Sequence, residues 1–223
     1  MKHRTRIKIC GLTREVDVDA AVDAGADAVG FVFYERSPRH VDVARAALLA
    51  QRLPPFVVPV GLFVNALASQ VNAVLAALPH LVLQFHGDET PGECSRFGRP
   101  YLRAARMKPG FSLLDFCAAH PSAQALLLDA DVEGFGGSGK VFDWSLVPPK
   151  LPHRLVLSGG LHAENVGEGI ARVRPWAVDV SSGVETAQSG KGIKDAAAMR
   201  RFCEAVREAD ARPTPDQAFA GTQ

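Results

Sequence analysis

Eight short runs rich in Val, Ile, Leu and Phe recur along the chain, separated by segments whose apolar residues return at helical spacing. The runs are RIKICGL (6–12), AVGFVF (28–33), VVPVGLFV (57–64), LVLQFHG (81–87), YLRAARM (101–107), ALLLDA (125–130), RLVLSGG (154–160) and AVDVSSG (177–183). Helical periodicity marks REVDVDAAVDAG, VARAALLAQRL, LASQVNAVLAAL and AENVGEGIARV, and a last helix is expected over about 194–209. Gly25 and Pro54 fall where two of these helices should stop, because glycine accepts left-handed geometry and proline cannot continue a helix. Such alternation implies right-handed crossovers and a parallel sheet. Eight β/α units in 223 residues is the count of a closed (β/α)8 TIM barrel. An open doubly wound sheet is the alternative, but its usual G-x-G-x-x-G after the first strand is absent. The expected organisation is therefore one α/β barrel domain over residues 1–210. A disordered tail, ARPTPDQAFAGTQ, is expected over 211–223.

Charge narrows the partners. With 22% charged residues of both signs and a net charge of +1, the chain has no basic stripe for nucleic acid or an anionic membrane. The four cysteines, Cys10, Cys94, Cys117 and Cys203, lie far apart, with no C-x-x-C or Cys/His grouping to suggest zinc. A reducing cytoplasm suits them. The basic start MKHRTR leads into an apolar stretch too short for a signal sequence, and no run is long enough to span a bilayer. The expectation is a cytoplasmic protein acting on a small molecule, as a monomer or, alternatively, a homodimer.

A (β/α)8 barrel carries its active site at the C-terminal ends of its strands. Polar residues gather there: Cys10 in the first run, His86 in the fourth, Asp129 in the sixth, Asp179 and Ser181 in the eighth. Arg39 sits in the loop after the second run, in YERSPRH. A lone strand cysteine is more often packing than chemistry. Gly11 behind Cys10 lets a ligand or backbone come close, however. Asp129 ends an apolar run, where a carboxylate needs a partner or a substrate. An acid/base pair across a pocket follows from the two together. His86 either orients the substrate or is a satisfied strand-end histidine.

The turns LSGGL and DVSSGVE end the seventh and eighth runs, where barrels of this type bind phosphate. Small residues there let backbone N–H groups approach an anion, and a helix N-terminus adds a favourable dipole. Gly159, Gly160, Ser181, Ser182 and Gly183 are the expected phosphate ligands. The stretch GFGGSGK (134–140) satisfies G-x-x-x-x-G-K, yet Val141 stands where a nucleotide-binding loop needs Ser or Thr for magnesium. It reads better as a flap over the site, with Gly137 and Gly139 giving freedom and Lys140 as a ligand contact.

The stretches KICGLT, GADAVGFVFYERSPR, VGLFVN, LQFHGDE, LLLDA with GGSGKVFDW, LSGGLHAENV and AVDVSSGVE resemble the phosphoribosylanthranilate isomerases of tryptophan biosynthesis. The resemblance covers about residues 6–208. It implies a (β/α)8 barrel that uses neither metal nor organic cofactor. It also implies an Amadori rearrangement of N-(5-phospho-β-ribosyl)anthranilate to 1-(2-carboxyphenylamino)-1-deoxyribulose 5-phosphate. By the same resemblance the general base falls on Cys10, the general acid on Asp129, and the arginine facing the anthranilate carboxylate on Arg39. His162, Ala163 and Phe85 stand where the family more often has Asn, Pro and Leu, beside the site rather than in the acid/base pair. The related isomerase of histidine biosynthesis has an aspartate on its first strand, so Cys10 speaks against it. A phosphosugar-binding barrel without turnover would have no need of both Cys10 and Asp129.

The chemistry adds one demand. Cys10 serves as a base only as thiolate, so a nearby positive charge is expected to lower its pKa. Lys8, two residues back, lies on the same strand face. It is expected either to pair with Asp179 on the neighbouring eighth strand or to snorkel out of the barrel floor.

Overall fold

β-Branched and leucine-rich runs flanked by turn residues become strands, and in this chain they close on one another. A computed structural model describes residues 4–130, 141–186 and 190–212. Its strands are β1 (Arg6–Cys10), β2 (Ala28–Val32), β3 (Val58–Phe63), β4 (Val82–Phe85), β5 (Tyr101–Met107), β6 (Ala125–Ala130), β7 (Arg154–Leu157) and β8 (Ala177–Val180). All pair in parallel, in chain order, and β8 returns to β1 to complete the barrel. The helices are α1 (Glu15–Ala24), α2 (Val43–Ala50), α3 (Ala68–Ala77), α4 (Pro91–Ser95), α5 (Leu113–Ala119), α6 (Ala163–Val173) and α7 (Ala196–Ala211).

The barrel read from the sequence is the barrel observed, with differences at its connections. Gly25 caps α1 in the left-handed conformation at φ 87°, as its position foretold. The short helix α4 carries a Thr90–Glu93 capping box, and α5 is capped by Ser112. Both are too short to give a periodic signal over 11 or so residues. Among the described residues β6 is followed not by an α-helix but by a 3-10 turn, Trp144–Leu146. The last helix starts at Ala196 behind an Asp195 N-cap rather than at Lys194. Gly137, Gly139 and Lys140 of the expected flap, and the tail beyond Arg212, lie outside the described residues.

The period-two alternation of each strand divides two cores. Leu126 and Leu128 of β6 face the helices within one large apolar cluster. Leu127 faces inward with Ala104, Ala125, Val156 and Ala177, filling the barrel interior. Burying a side chain of that size stabilises by roughly 1.5–3 kcal/mol. The interior plug leaves room for chemistry only above it, toward the C-terminal strand ends.

Candidate active site

Register decides which side chains meet above the plug. Lys8 of β1 stands opposite Asp179 of β8, and its Nζ donates to Asp179 Oδ1 at 2.9 Å. Both side chains are 5% exposed, so the lysine pairs across the sheet and does not reach the floor. Ser158 Oγ lies 3.5 Å from the other Asp179 oxygen. Cys10 stands one residue pair higher than Lys8, opposite Gly30 of β2. A Cβ at Gly30 would lie 2.5 Å from Cys10 Sγ, so the glycine makes the space the thiol occupies.

Burial pushes the Cys10 thiol above its ordinary pKa, although the charge and hydrogen bond of Lys8 pull the other way. Asp179 adds to the rise and Lys194 opposes it. The nearby cation acts in the expected sense but is outweighed: a thiolate taken from water loses more than the paired lysine returns. Burial also works against the Lys8 ammonium. There the attraction of Asp179 and Cys10 wins and lifts its pKa above that of an ordinary lysine.

Asp129 ends β6, and in the strand order β6-β7-β8-β1 it lies three strands round from Cys10 on the same rim. Its Oδ1 accepts from the Ala130 backbone N–H at 2.9 Å, and its Oδ2 lies 3.0 Å from His86 Nε2. His86 Nδ1 lies 3.2 Å from Gln84 Nε2 on the same face of β4. All three side chains are buried. Gln84 Oε1 has no hydrogen-bond partner among the described residues. Both ring nitrogens of His86 thus have partners within the protein, Asp129 and Gln84. Arg106, opposite Asp129 in the β5–β6 register, reaches the His86 carbonyl at 3.5 Å and Asp88 at 3.4 Å.

Arg39 is carried over the site by its loop, its aliphatic stem lying on Gly11. A Cβ at Gly11, whose φ is +78°, would meet Arg39 Cδ at 2.4 Å. Gly11 thus admits a side chain of this same chain. The guanidinium forms a bidentate pair with Glu185 through Nε at 2.6 Å and Nη2 at 2.9 Å. Burial alone would lift the Glu185 carboxyl, but Arg39 and Lys194 outweigh it and hold the pKa below the ordinary glutamate value.

The phosphate residues expected after β7 and β8 come together. Gly159 and Gly160 both have positive φ, 79° and 63°. A Cβ at Gly159 would meet the Ala130 nitrogen at 2.7 Å, and one at Gly183 the Leu161 carbonyl at 1.9 Å. Gly159 therefore packs on the end of β6, and Gly183 on the backbone of the β7 turn, at distances only glycine permits. Asn165 Nδ2 fastens the first turn by donating to the Gly160 carbonyl at 2.9 Å. Ser182 and Gly183 lie in a 3-10 turn, Ser182–Val184. Ser181 is committed elsewhere, its hydroxyl donating to the Cys10 carbonyl at 3.0 Å.

Sequence reasoning missed Gly30, Gln84, Glu185 and Lys194. Gly30 carried a signal, a single glycine inside an apolar strand, and Glu185 directly follows the DVSSGV turn. Gln84 showed only as the inward residue two before His86. Lys194 showed nothing but its place before a helix cap.

The family model described as N-(5'phosphoribosyl)anthranilate (PRA) isomerase matches residues 7–205. The chain belongs to this family. A PRA isomerase of Methylibium petroleiphilum is 73% identical over 209 residues, covering 94% of this chain and 97% of the relative. One from Leptothrix cholodnii is 68% identical, covering 94% of each. Among solved structures, the isomerase from Thermotoga maritima superposes with a TM-score of 0.80 at 37% identity, covering 92% of this chain and 99% of that one. Another, solved in complex with reduced 1-(o-carboxyphenylamino)-1-deoxyribulose 5-phosphate, has a TM-score of 0.77 at 35% identity, with the same coverage. The protein is an isomerase built as a TIM barrel. No helix among the described residues is long and apolar enough to cross a membrane.

Proposed function

We propose that this barrel mouth performs the phosphoribosylanthranilate isomerase step of tryptophan biosynthesis in the cytoplasm, with Asp129 as general acid and Cys10 as general base. The substrate is N-(5-phospho-β-ribosyl)anthranilate. Asp129 gives a proton to the ring oxygen as the C1′–O bond breaks and the anilino nitrogen lone pair forms the C=N bond. The Cys10 thiolate then takes the C2′ proton, and the electrons return to nitrogen. The resulting enolamine tautomerises to the aminoketone, 1-(2-carboxyphenylamino)-1-deoxyribulose 5-phosphate. Nothing beyond proton transfer is required, so side chains alone suffice.

The observation that carries this reading is the placement of Cys10 and Asp129 on one rim, three strands apart, with partners suited to their tasks. Lys8 favours the thiolate once a proton must leave, and His86 orients the carboxyl. Gly159, Gly160, Ser182 and Gly183, with the Ser181 backbone, hold the phosphate. Arg39 meets the anthranilate carboxylate with its Nη1 corner, since Glu185 occupies the Nε–Nη2 edge. Asp179 acts on the substrate through Lys8. Anchoring both ends of the ligand lowers the entropy cost of reaching the reactive geometry.

The test is turnover by the purified protein. Fed the anthranilate substrate it should generate the fluorescence change of the ketone product. It should also restore growth of a tryptophan auxotroph lacking this step. Absence of both, from folded protein, would end the reading.

A further inference from the structure

Lys194 is a buried charge that the proposed chemistry leaves unused. Its side chain is fully buried, and its ammonium spends its donors inside the protein: on Glu185 Oε1 at 3.0 Å, the Ser181 carbonyl at 2.9 Å and Ser181 Oγ at 3.3 Å. Glu185 Oε1 also receives the Arg39 Nε–H at 2.6 Å. One carboxylate therefore sits between two cations. The segment carrying Lys194 is itself pressed against the Arg39 loop, for a Cβ at Gly192 would lie 2.8 Å from the Pro38 carbonyl.

A bidentate Arg–Glu pair alone is neutral and offers little to an incoming anion. With Lys194 added, the buried group carries one positive charge in excess, which low-dielectric surroundings make costly until an anion completes it. Cys10 also faces Lys194 electrostatically, but burial raises the pKa of its thiol. Among the described residues the guanidinium bonds of Arg39 run through Nε and Nη2, and its Nη1 corner has no partner.

We propose that Lys194 is a positioning residue for substrate recognition: it fixes Glu185 against one edge of Arg39 and supplies the excess positive charge that draws the substrate carboxylate to the other. The idea rests on the isomerase reading above, and deepens it by naming what makes Arg39 selective for an aromatic acid.

The experiment compares two ligands by calorimetry: the reduced product analogue, and the same compound without its carboxyl group. The wild-type enzyme should prefer the carboxylated ligand by at least ~10-fold, since a charge-assisted pair is lost without it. Lys194→Met should shrink that preference at least ~5-fold while affinity for the compound lacking the carboxyl stays within about 2-fold, the pattern of a coupling specific to one pair. A preference that survives the substitution overturns the proposal, including the case in which both ligands bind more weakly through general loosening. Should Lys194→Met fail to fold, Lys194→Gln keeps a donor for the Ser181 carbonyl and is judged by the same ratio. Wild-type enzyme that binds neither ligand would overturn the isomerase reading, and this inference with it. Wild-type enzyme that binds both equally would remove the carboxylate role alone.

Discussion

The two halves of the mouth are built from different materials. The β8–β1–β2 side is ionic: Lys8 pairs with Asp179, and Arg39 and Lys194 with Glu185, and Lys8, Asp179 and Lys194 act on the Cys10 thiol. Around Asp129 the first partners are a histidine and a backbone N–H, with Gln84 behind. The difference fits the roles proposed above for Cys10 as base and Asp129 as acid. A thiolate base is an anion before it takes its proton, so in a buried site it needs cations fixed in advance. Those cations are held by carboxylates: Lys8 by Asp179, and Arg39 with Lys194 by the one carboxylate of Glu185. A proton donor needs orientation more than charge, and a histidine–amide chain supplies that. Gln84 Oε1 without a partner is consistent with a chain whose amide and imidazole can each face either way.

The comparison breaks most visibly if either reactive group is removed. Cys10→Ala or Asp129→Asn should lower kcat by at least ~10²-fold with little change in KM, because acid and base terms act in the transition state. Steady-state fluorescence assays read this, and a variant keeping most of its kcat would strip that residue of its role. The ionic side should also fail structurally. Lys8→Met leaves the Asp179 carboxylate buried without its cation and should cost roughly 3–5 kcal/mol in denaturant unfolding. His86→Leu, on the other side, should leave stability closer to wild type.

The pH profile sharpens the contrast further. Because burial raises the Cys10 pKa, thiol predominates in the free enzyme below that value, and the thiolate fraction grows as pH rises. The kcat/KM of the wild-type enzyme should therefore climb by about tenfold per pH unit toward and beyond the ordinary thiol range. A plateau already reached at neutral pH would show that Lys8 outweighs burial after all. The smallest effect is expected at His86, whose loss frees the Asp129 carboxyl to rotate. His86→Leu should lower kcat by up to about 10-fold, the worth of one buried hydrogen bond, and Gln84→Leu by less.

Much of this was legible in the residues. Strand number, closure, and the rim on which Cys10, His86, Asp129 and Asp179 stand follow from period-two runs and from where polar residues interrupt them. The Lys8–Asp179 pair was legible only as one of two alternatives: residues two apart share a strand face and β8 returns to β1 in a closed barrel, but burial decided that Lys8 pairs and does not snorkel out of the floor. The short helices α4 and α5 were not, because two turns or fewer give no period to read.

What the sequence by itself determined is the barrel and the identity of the reactive rim, because both rest on local alternation repeated along the chain. Only the tertiary structure decided the electrostatics. The rise in the Cys10 pKa, the capture of Arg39 by Glu185, the space left by Gly30 and the burial of Lys194 all join residues distant in sequence, or depend on how much water is excluded. Solvation is a property of the whole packed volume, and no stretch of chain carries it alone.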